Sequence, residues 1–292
     1  MSEKSVDEKV RERLKEVLPT LPKSVFEPQK LLKTDRMKFR CYPGISCFTM
    51  CCRGIRINLT PYDIYRLKKR LNMTYEQFLN YYTVTASIDG TPLPITVLRL
   101  KDKDTRECPF VTPDGCTVYT DRPVTCRYYP IGMAIMKQYE KPSEEEFYIK
   151  IVEDHCKGHF EPKEWTIQEW REDQKADLYD GMNDDWLAVV LKAKSLGMVE
   201  FSSRSLHLFN IASTDMDLFR SFVFESKFLD SYEIEPEIIK EIHDDELTLL
   251  KFAQKWLRFT LFGEGDFKFK DIAIQKKMKA AQEKAEAAIK KQ

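Results

Sequence analysis

The alternation of apolar and polar residues along this chain switches from a helical period to short strand-like runs and back. Near the start, SVDEKVRERLKEVL (5–18) places Val6, Val10, Leu14 and Val17–Leu18 on one face of a predicted helix, and PTLPKSVFEP breaks it. NLTPYDIYRLKKRL predicts a second helix, capped by Thr60 with Pro61 in its first turn. MTYEQFLNYY restarts with Thr74 and Gln77 spaced as a capping box. From about residue 84 to 153 the pattern shortens. LPITVLRLK, CTVY, YPIGMAIMK and EEFYIKIVE predict strands, with TPDG turning the chain between Cys108 and Cys116 and PSEEE turning a hairpin.

Beyond HCKGHF the helical period returns. WTIQEWREDQ opens with a Thr166–Glu169 capping box, and DDWLAVVLKAKSLG runs to a C-cap at Gly197. SLHLFNI alternates with period two and reads as one more strand. DMDLFRSFVFESKFL and DDELTLLKFAQKWLRFTLF are apolar on wide faces and are expected to pack on each other. The tail from Lys270 is a polar helix former, too short for a coiled coil. The expected class is α+β. Residues 1–38 form an N-terminal helix and linker, and residues 39–160 a Cys-rich metal-binding domain. That domain has helices and a small antiparallel sheet carrying the later cysteines on its loops. A mainly helical region, 161–292, follows.

Charge narrows the functional classes. Lys plus Arg and Asp plus Glu both number 47, so the formal net charge is zero. Without a basic excess, nucleic acid is not an expected partner. No apolar run of about eighteen residues predicts a membrane span. The charged N-terminus has no signal-peptide core, and a cytoplasmic location is expected.

The cysteines change the picture most. All eight fall between Cys41 and Cys156, four of them in CYPGISCFTMCC: Cys41, Cys47, Cys51 and Cys52. Cys108, Cys116, Cys126 and Cys156 follow. In a reducing compartment such clustering points to metal or redox chemistry rather than disulfides. Thiolate sulfur is a soft anionic donor, and both structural zinc and a [4Fe–4S] cluster take four such ligands. Isolated cysteines such as Cys156 also fit a small buried hydrophobe; four in twelve residues do not. Eight thiols permit two four-ligand centres, or one centre with spare thiols. Neighbouring Cys51 and Cys52 are expected to point apart, so that one binds and the other packs, or each serves its own site. His155 and His159 flank Cys156 in HCKGH as candidate ligands, although loop histidines more often face solvent. The spacings match neither zinc fingers nor the bacterial ferredoxin run.

FRCYPGISCFTMCCRGIRINLTPYDIYRLKKRL and CPFVTPDGCTVYTDRPVTCRYYP together resemble the YkgJ-type, or CxxCxxCC, cysteine-cluster family, a zinc- or iron-chelating domain. The resemblance covers roughly residues 39–160. It places Cys41, Cys47, Cys51 and Cys52 at the opening positions, Cys108, Cys116 and Cys126 at the later ones, and Cys156 at the last. Tyr119, Arg122, Pro123, Arg127 and Pro130 fall on its "IY..RP..CR.YP" signature. The opening here is C-x5-C-x3-CC rather than C-x2-C-x2-CC, which bears most on Cys41. Arg122 and Arg127 have two readings: guanidinium groups that stabilise a net-negative thiolate cluster, or surface ion pairs with Asp121 or Glu107. Pro123 and Pro130 are expected to fix the turns that present Cys126.

Three functions follow. The first is an iron–sulfur protein, [4Fe–4S], in electron transfer or enzyme maturation. The second is a zinc-stabilised module whose helical half binds a protein partner. The third is an enzyme, because flagellin lysine methylases resemble this family in their cysteine cluster. No glycine-rich nucleotide fingerprint or catalytic Cys/His signature accompanies it.

Overall fold

The computed structural model describes residues 24–26, 30–88, 90–137, 144–271 and 275. The predicted N-terminal helix, most of the polar tail and the tip of the predicted hairpin lie outside them. The chain divides into two compact units, each made of two segments. The first comprises Met1–Asn58 and Leu98–Tyr179, and the second Leu59–Val97 and Asp180–Gln292.

In the first unit, strands Ile131–Lys137 and Glu144–Glu153 pair antiparallel, and Ser24–Phe26 adds to the outer edge of the second. Arg36–Lys38 pairs with Glu164–Thr166, and Val111–Thr112 with Gly115–Cys116 across the TPDG turn. The expected small antiparallel sheet is present around Ile131–Lys137 and Glu144–Glu153, and the other pairings are separate ladders of two or three residues. Its core gathers Leu31, Met37, Phe39, Tyr128, Ile131, Tyr148, Cys156, Ile167 and Trp170. The Phe39 ring packs edge-on against Trp170 at 5.4 Å and Tyr129 at 6.0 Å. Arg171 is buried among these rings, bonding the hydroxyls of Tyr128 (2.7 Å) and Tyr148 (2.6 Å) and pairing with Asp177.

The second unit is mainly helical. Helix Pro61–Arg70 begins where expected, and Asp63 completes a capping box: its carboxylate accepts from Thr60 N at 2.9 Å, while Thr60 Oγ1 accepts from Asp63 N at 3.1 Å. Helix Tyr75–Tyr82 has the predicted Thr74–Gln77 box, and in the first unit helix Ile167–Asp173 has the Thr166–Glu169 box. Helix Ala176–Leu196 ends before Gly197 at φ +71°, a left-handed C-cap that glycine adopts freely. Helices Met216–Glu225 and Glu246–Phe262 pack on each other, with Phe219 and Phe222 within 5.5 Å of Trp256. SLHLFNI is not a strand but part of helix Ser203–Thr214, opened by Ser202, whose hydroxyl accepts from Ser205 N. Phe209, Ala212 and Ser213 are buried at helical spacing, so packing of one helical face overrides the local period-two pattern.

Candidate metal centre

Every cysteine lies in the first unit, and none of the eight forms a disulfide. The opening loop tightens into a 3-10 turn at Met50–Cys52. On that turn the two neighbouring thiols do not point apart: Cys51 Sγ and Cys52 Sγ are 4.0 Å from each other. The tight turn lets both side chains fold to the same side. Residues 52–54 then lie against 106–108. Cys108 N donates to Cys52 O at 2.8 Å, Gly54 N donates to Arg106 O at 2.9 Å, and Arg53 bridges to Glu107. The Val111–Cys116 hairpin follows. Cys126 sits on the short helix Val124–Tyr128 rather than on a sheet loop. Cys156 closes a turn in which its N–H donates to Glu153 O at 2.9 Å.

Main-chain N–H groups are aimed at several sulfurs. Lys157 N lies 3.2 Å from Cys47 Sγ. Gly158 N–H serves Cys156, Val118 N–H serves Cys116, and the N–H groups of Phe110 and Val111 serve Cys108. The bonds to Cys156, Cys116 and Cys108 favour the thiolate over the thiol. Burial acts in the other direction. It pushes Cys108 up to about 11, and it raises Cys116 and Cys156. Cys41 is an exposed residue, yet its thiol is pushed up to about 11. Burial of the sulfur is the first cause, followed by the neighbouring charges of Cys51, Cys47 and Cys156. Cys51 is raised chiefly by its hydrogen bond with Cys52 and then by burial. A cation removes the repulsion that holds these protons in place, so the donor set fits a metal that binds thiolate.

The structure places the two arginines inside, not on the surface. Arg127 is 2% exposed. Its guanidinium donates to the carbonyls of Arg122 (3.0 Å), Gln174 (2.7 Å) and Thr120 (2.7 Å) and to Tyr179 Oη (2.9 Å), and it lies over the Tyr179 ring. It clamps the loop that presents Cys126. Arg122 stacks on Tyr119 and bonds its carbonyl at 2.6 Å. Burial lowers its pKa, while Cys126 and Cys116 favour its charge. Glu107 pairs instead with Arg53 at 2.8 Å and Lys101 at 3.6 Å.

The two histidines are not solvent-facing either. His159 packs its ring on Phe39 at 5.3 Å, and His155 Nε2 lies 3.3 Å from Glu153 Oε2. Two residues were not legible as site residues. Glu153 raises the Cys51 thiol, and Tyr129 Oη donates to Glu153 Oε2 at 2.9 Å. Tyr129 also bonds Cys156, lowering that thiol. Glu153 has no sequence signal beyond its place three residues before Cys156, while Tyr129 falls on the last tyrosine of the "IY..RP..CR.YP" signature without being singled out there.

Among the described residues, no three His, Cys, Asp or Glu side chains converge tightly enough to hold an ion as they stand.

Residues 40–157 match the family model of the CxxCxxCC family, described as "Putative zinc- or iron-chelating domain". This is the family the sequence resembles, and the match supports metal binding by this stretch. No curated protein and no solved structure matches the chain. No helix among the described residues is long and apolar enough to cross a membrane.

Proposed function

Starting from a zinc- or iron-chelating domain, we propose that the cysteine loops hold an iron–sulfur centre of the [4Fe–4S] type, serving electron transfer or the maturation of another enzyme. The observation that carries this reading is the eight cysteines inside the stretch that matches a zinc- or iron-chelating family model, with the Lys157 N–H reaching Cys47 Sγ at 3.2 Å and so joining the opening cysteine loop to the Cys156 turn. An all-sulfur donor set with main-chain N–H groups on its sulfurs suits a cluster, whose potential depends on such hydrogen bonds. When bound, the cluster would supply one-electron chemistry. The chain's own residues hold the sulfurs: Lys157 and Gly158 N–H at Cys47 and Cys156, and Arg127 at the Cys126 loop.

A second reading has its own observation. In a tetrahedral zinc site with Zn–S of about 2.3 Å, neighbouring sulfurs lie roughly 3.8 Å apart. Cys51 and Cys52 are 4.0 Å apart, which suits one edge of such a site. The metal would then fix the loops, and the helical half would dock a protein partner.

Anaerobic purification followed by iron, zinc and acid-labile sulfide analysis tests both. Iron and sulfide at about four each per cluster, with broad absorption near 400 nm, support the first reading. A colourless protein with zinc alone replaces it by the second, and a protein that takes up neither metal overturns both.

A further inference from the structure

A cavity of about 460 Å³ opens on the first unit with no cysteine in its walls. We propose that it binds a small molecule carrying two or more anionic groups, phosphate or carboxylate, through Arg36, Lys38 and Lys150. The inference is independent of which metal the cysteines take, and of whether they take one.

The volume is that of a small-molecule site. Leu31 and Met37, both buried, give it an apolar base, and His159 forms a wall with its ring packed on Phe39 at 5.3 Å. The rest of the lining is three cations, Arg36, Lys38 and Lys150, and one carboxylate, Asp35. That carboxylate is already engaged: Asp35 Oδ2 accepts from Leu32 N at 2.8 Å, closing the turn before the strand. In a chain of zero net charge, the cavity therefore holds a local positive excess.

The cations are carried by two separately anchored strands. Arg36 and Lys38 lie on the strand paired with Glu164–Thr166. Lys150 lies on Glu144–Glu153, which is tied to Ile131–Lys137 and to Leu31, itself exchanging main-chain bonds of 2.9 and 2.8 Å with Tyr148. Tyr148 and Lys150 are two residues apart and share one face of their strand. Tyr148 is fully buried, so the half-buried Lys150 is carried on the core-facing side.

The one opposing charge is loosely held. Glu164 faces Lys38 across the ladder, 3.9 Å from its ammonium and 3.7 Å from the Arg36 guanidinium. Both separations exceed a hydrogen bond, and exposed pairs of this kind contribute little. Two cations sharing one distant carboxylate can turn their donors to an incoming anion. A ligand with two anionic groups matches cations on two strands, which a single chloride cannot do. Lys38 lies three residues before Cys41 and His159 three after Cys156, and Arg40 N bonds Gly158 O at 3.1 Å between them. An occupant therefore rests against both segments that lead into the first and last cysteines.

The test is calorimetric titration of the full-length chain with pyrophosphate and with citrate, against sodium chloride at matched ionic strength. Saturable binding with Kd of about 1 mM or tighter is expected for at least one of them. A response to pyrophosphate alone assigns a phosphate ligand, to citrate alone a polycarboxylate, and to both a general polyanion site. Lys150→Gln and Arg36→Gln are each expected to weaken binding about tenfold or more, the loss of one charge-assisted hydrogen bond. Lys240→Gln, exposed in the second unit, should leave it unchanged. Arg36 is itself exposed, so its variant reports even where a thermal unfolding curve shows that Lys150→Gln fails to fold. No saturable binding of either anion, or wild-type affinity in the Arg36→Gln chain, overturns the proposal. Metal content measured on the same samples keeps the two questions apart, because the anion result stands or falls whatever metal is found.

Discussion

The two units of this protein solve the same problem by opposite means. The second buries rings: Phe219, Phe222 and Phe228 each lie within 5.6 Å of the Trp256 ring centre. The first has short strands and long loops, and it buries cations and thiols. Arg127 and Arg171 are 2% and 4% exposed, and Cys47, Cys108 and Cys156 are buried. Ring packing needs no ligand. Buried polar groups need every partner in place. All eight thiols, the groups that can take a metal, lie within the stretch that matches a zinc- or iron-chelating family model.

The largest effect that separates the units is metal removal. Chelation is expected to open residues 41–58 and 98–156 to protease while helix Glu246–Phe262 stays protected, as mass mapping of the fragments would report. Equal cleavage of both regions would erase the distinction. Trp256→Ala is expected to remove about 3–5 kcal/mol from the second unit in chemical unfolding, with metal content unchanged. Arg127→Ala acts on the other side. It leaves the Gln174 and Thr120 carbonyls without their guanidinium donors. Stability should fall by about 2–4 kcal/mol, and metal retention should fall with it. Gly158→Ala is a smaller version of the same attack. A Cβ there would lie 2.7 Å from Phe39 Cε2 and 3.0 Å from Arg40 O, so the Cys156 turn must shift, at about 1–3 kcal/mol. The gentlest probe is pH. The Cys41 and Cys108 thiols rise from 9.0 to about 11 on folding. Between those values the unfolded chain releases their protons before the folded one does. The metal-free fold is therefore expected to weaken as pH rises from 9 to 11, visible in melting temperature, and the metal-loaded form to weaken less.

Much of this arrangement was readable from short stretches. Capping at Thr60, Thr74 and Thr166 depends on residues three apart, and the structure has all three boxes. The TPDG turn and the hairpin strands are equally local. SLHLFNI reads as a strand in isolation but belongs to helix Ser203–Thr214, where Phe209, Ala212 and Ser213 are buried on one face. The site shows the same limit. The cysteines announce themselves, but the closeness of Cys51 and Cys52 depends on a 3-10 turn, and Glu153 and Tyr129 gain meaning only when the chain returns. Arg122 and Arg127 were legible as residues of interest. Their burial was not, because the Gln174 and Tyr179 groups that receive them lie about fifty residues away.

The interleaved path of the chain has a consequence for its birth. Helix Pro61–Arg70 is synthesised long before residues it contacts: Tyr62 N bonds Asn183 Oδ1, and Lys68 pairs with Glu246 at 2.7 Å. The first unit likewise waits for residue 179. The second unit waits for the last part of the chain, whereas the first can close once residue 179 has emerged, so the thiol loops stay open until then. Cys41 to Cys52 emerge first and Cys156 last, which makes metal capture a late event and leaves the early thiols exposed to oxidants in the interval.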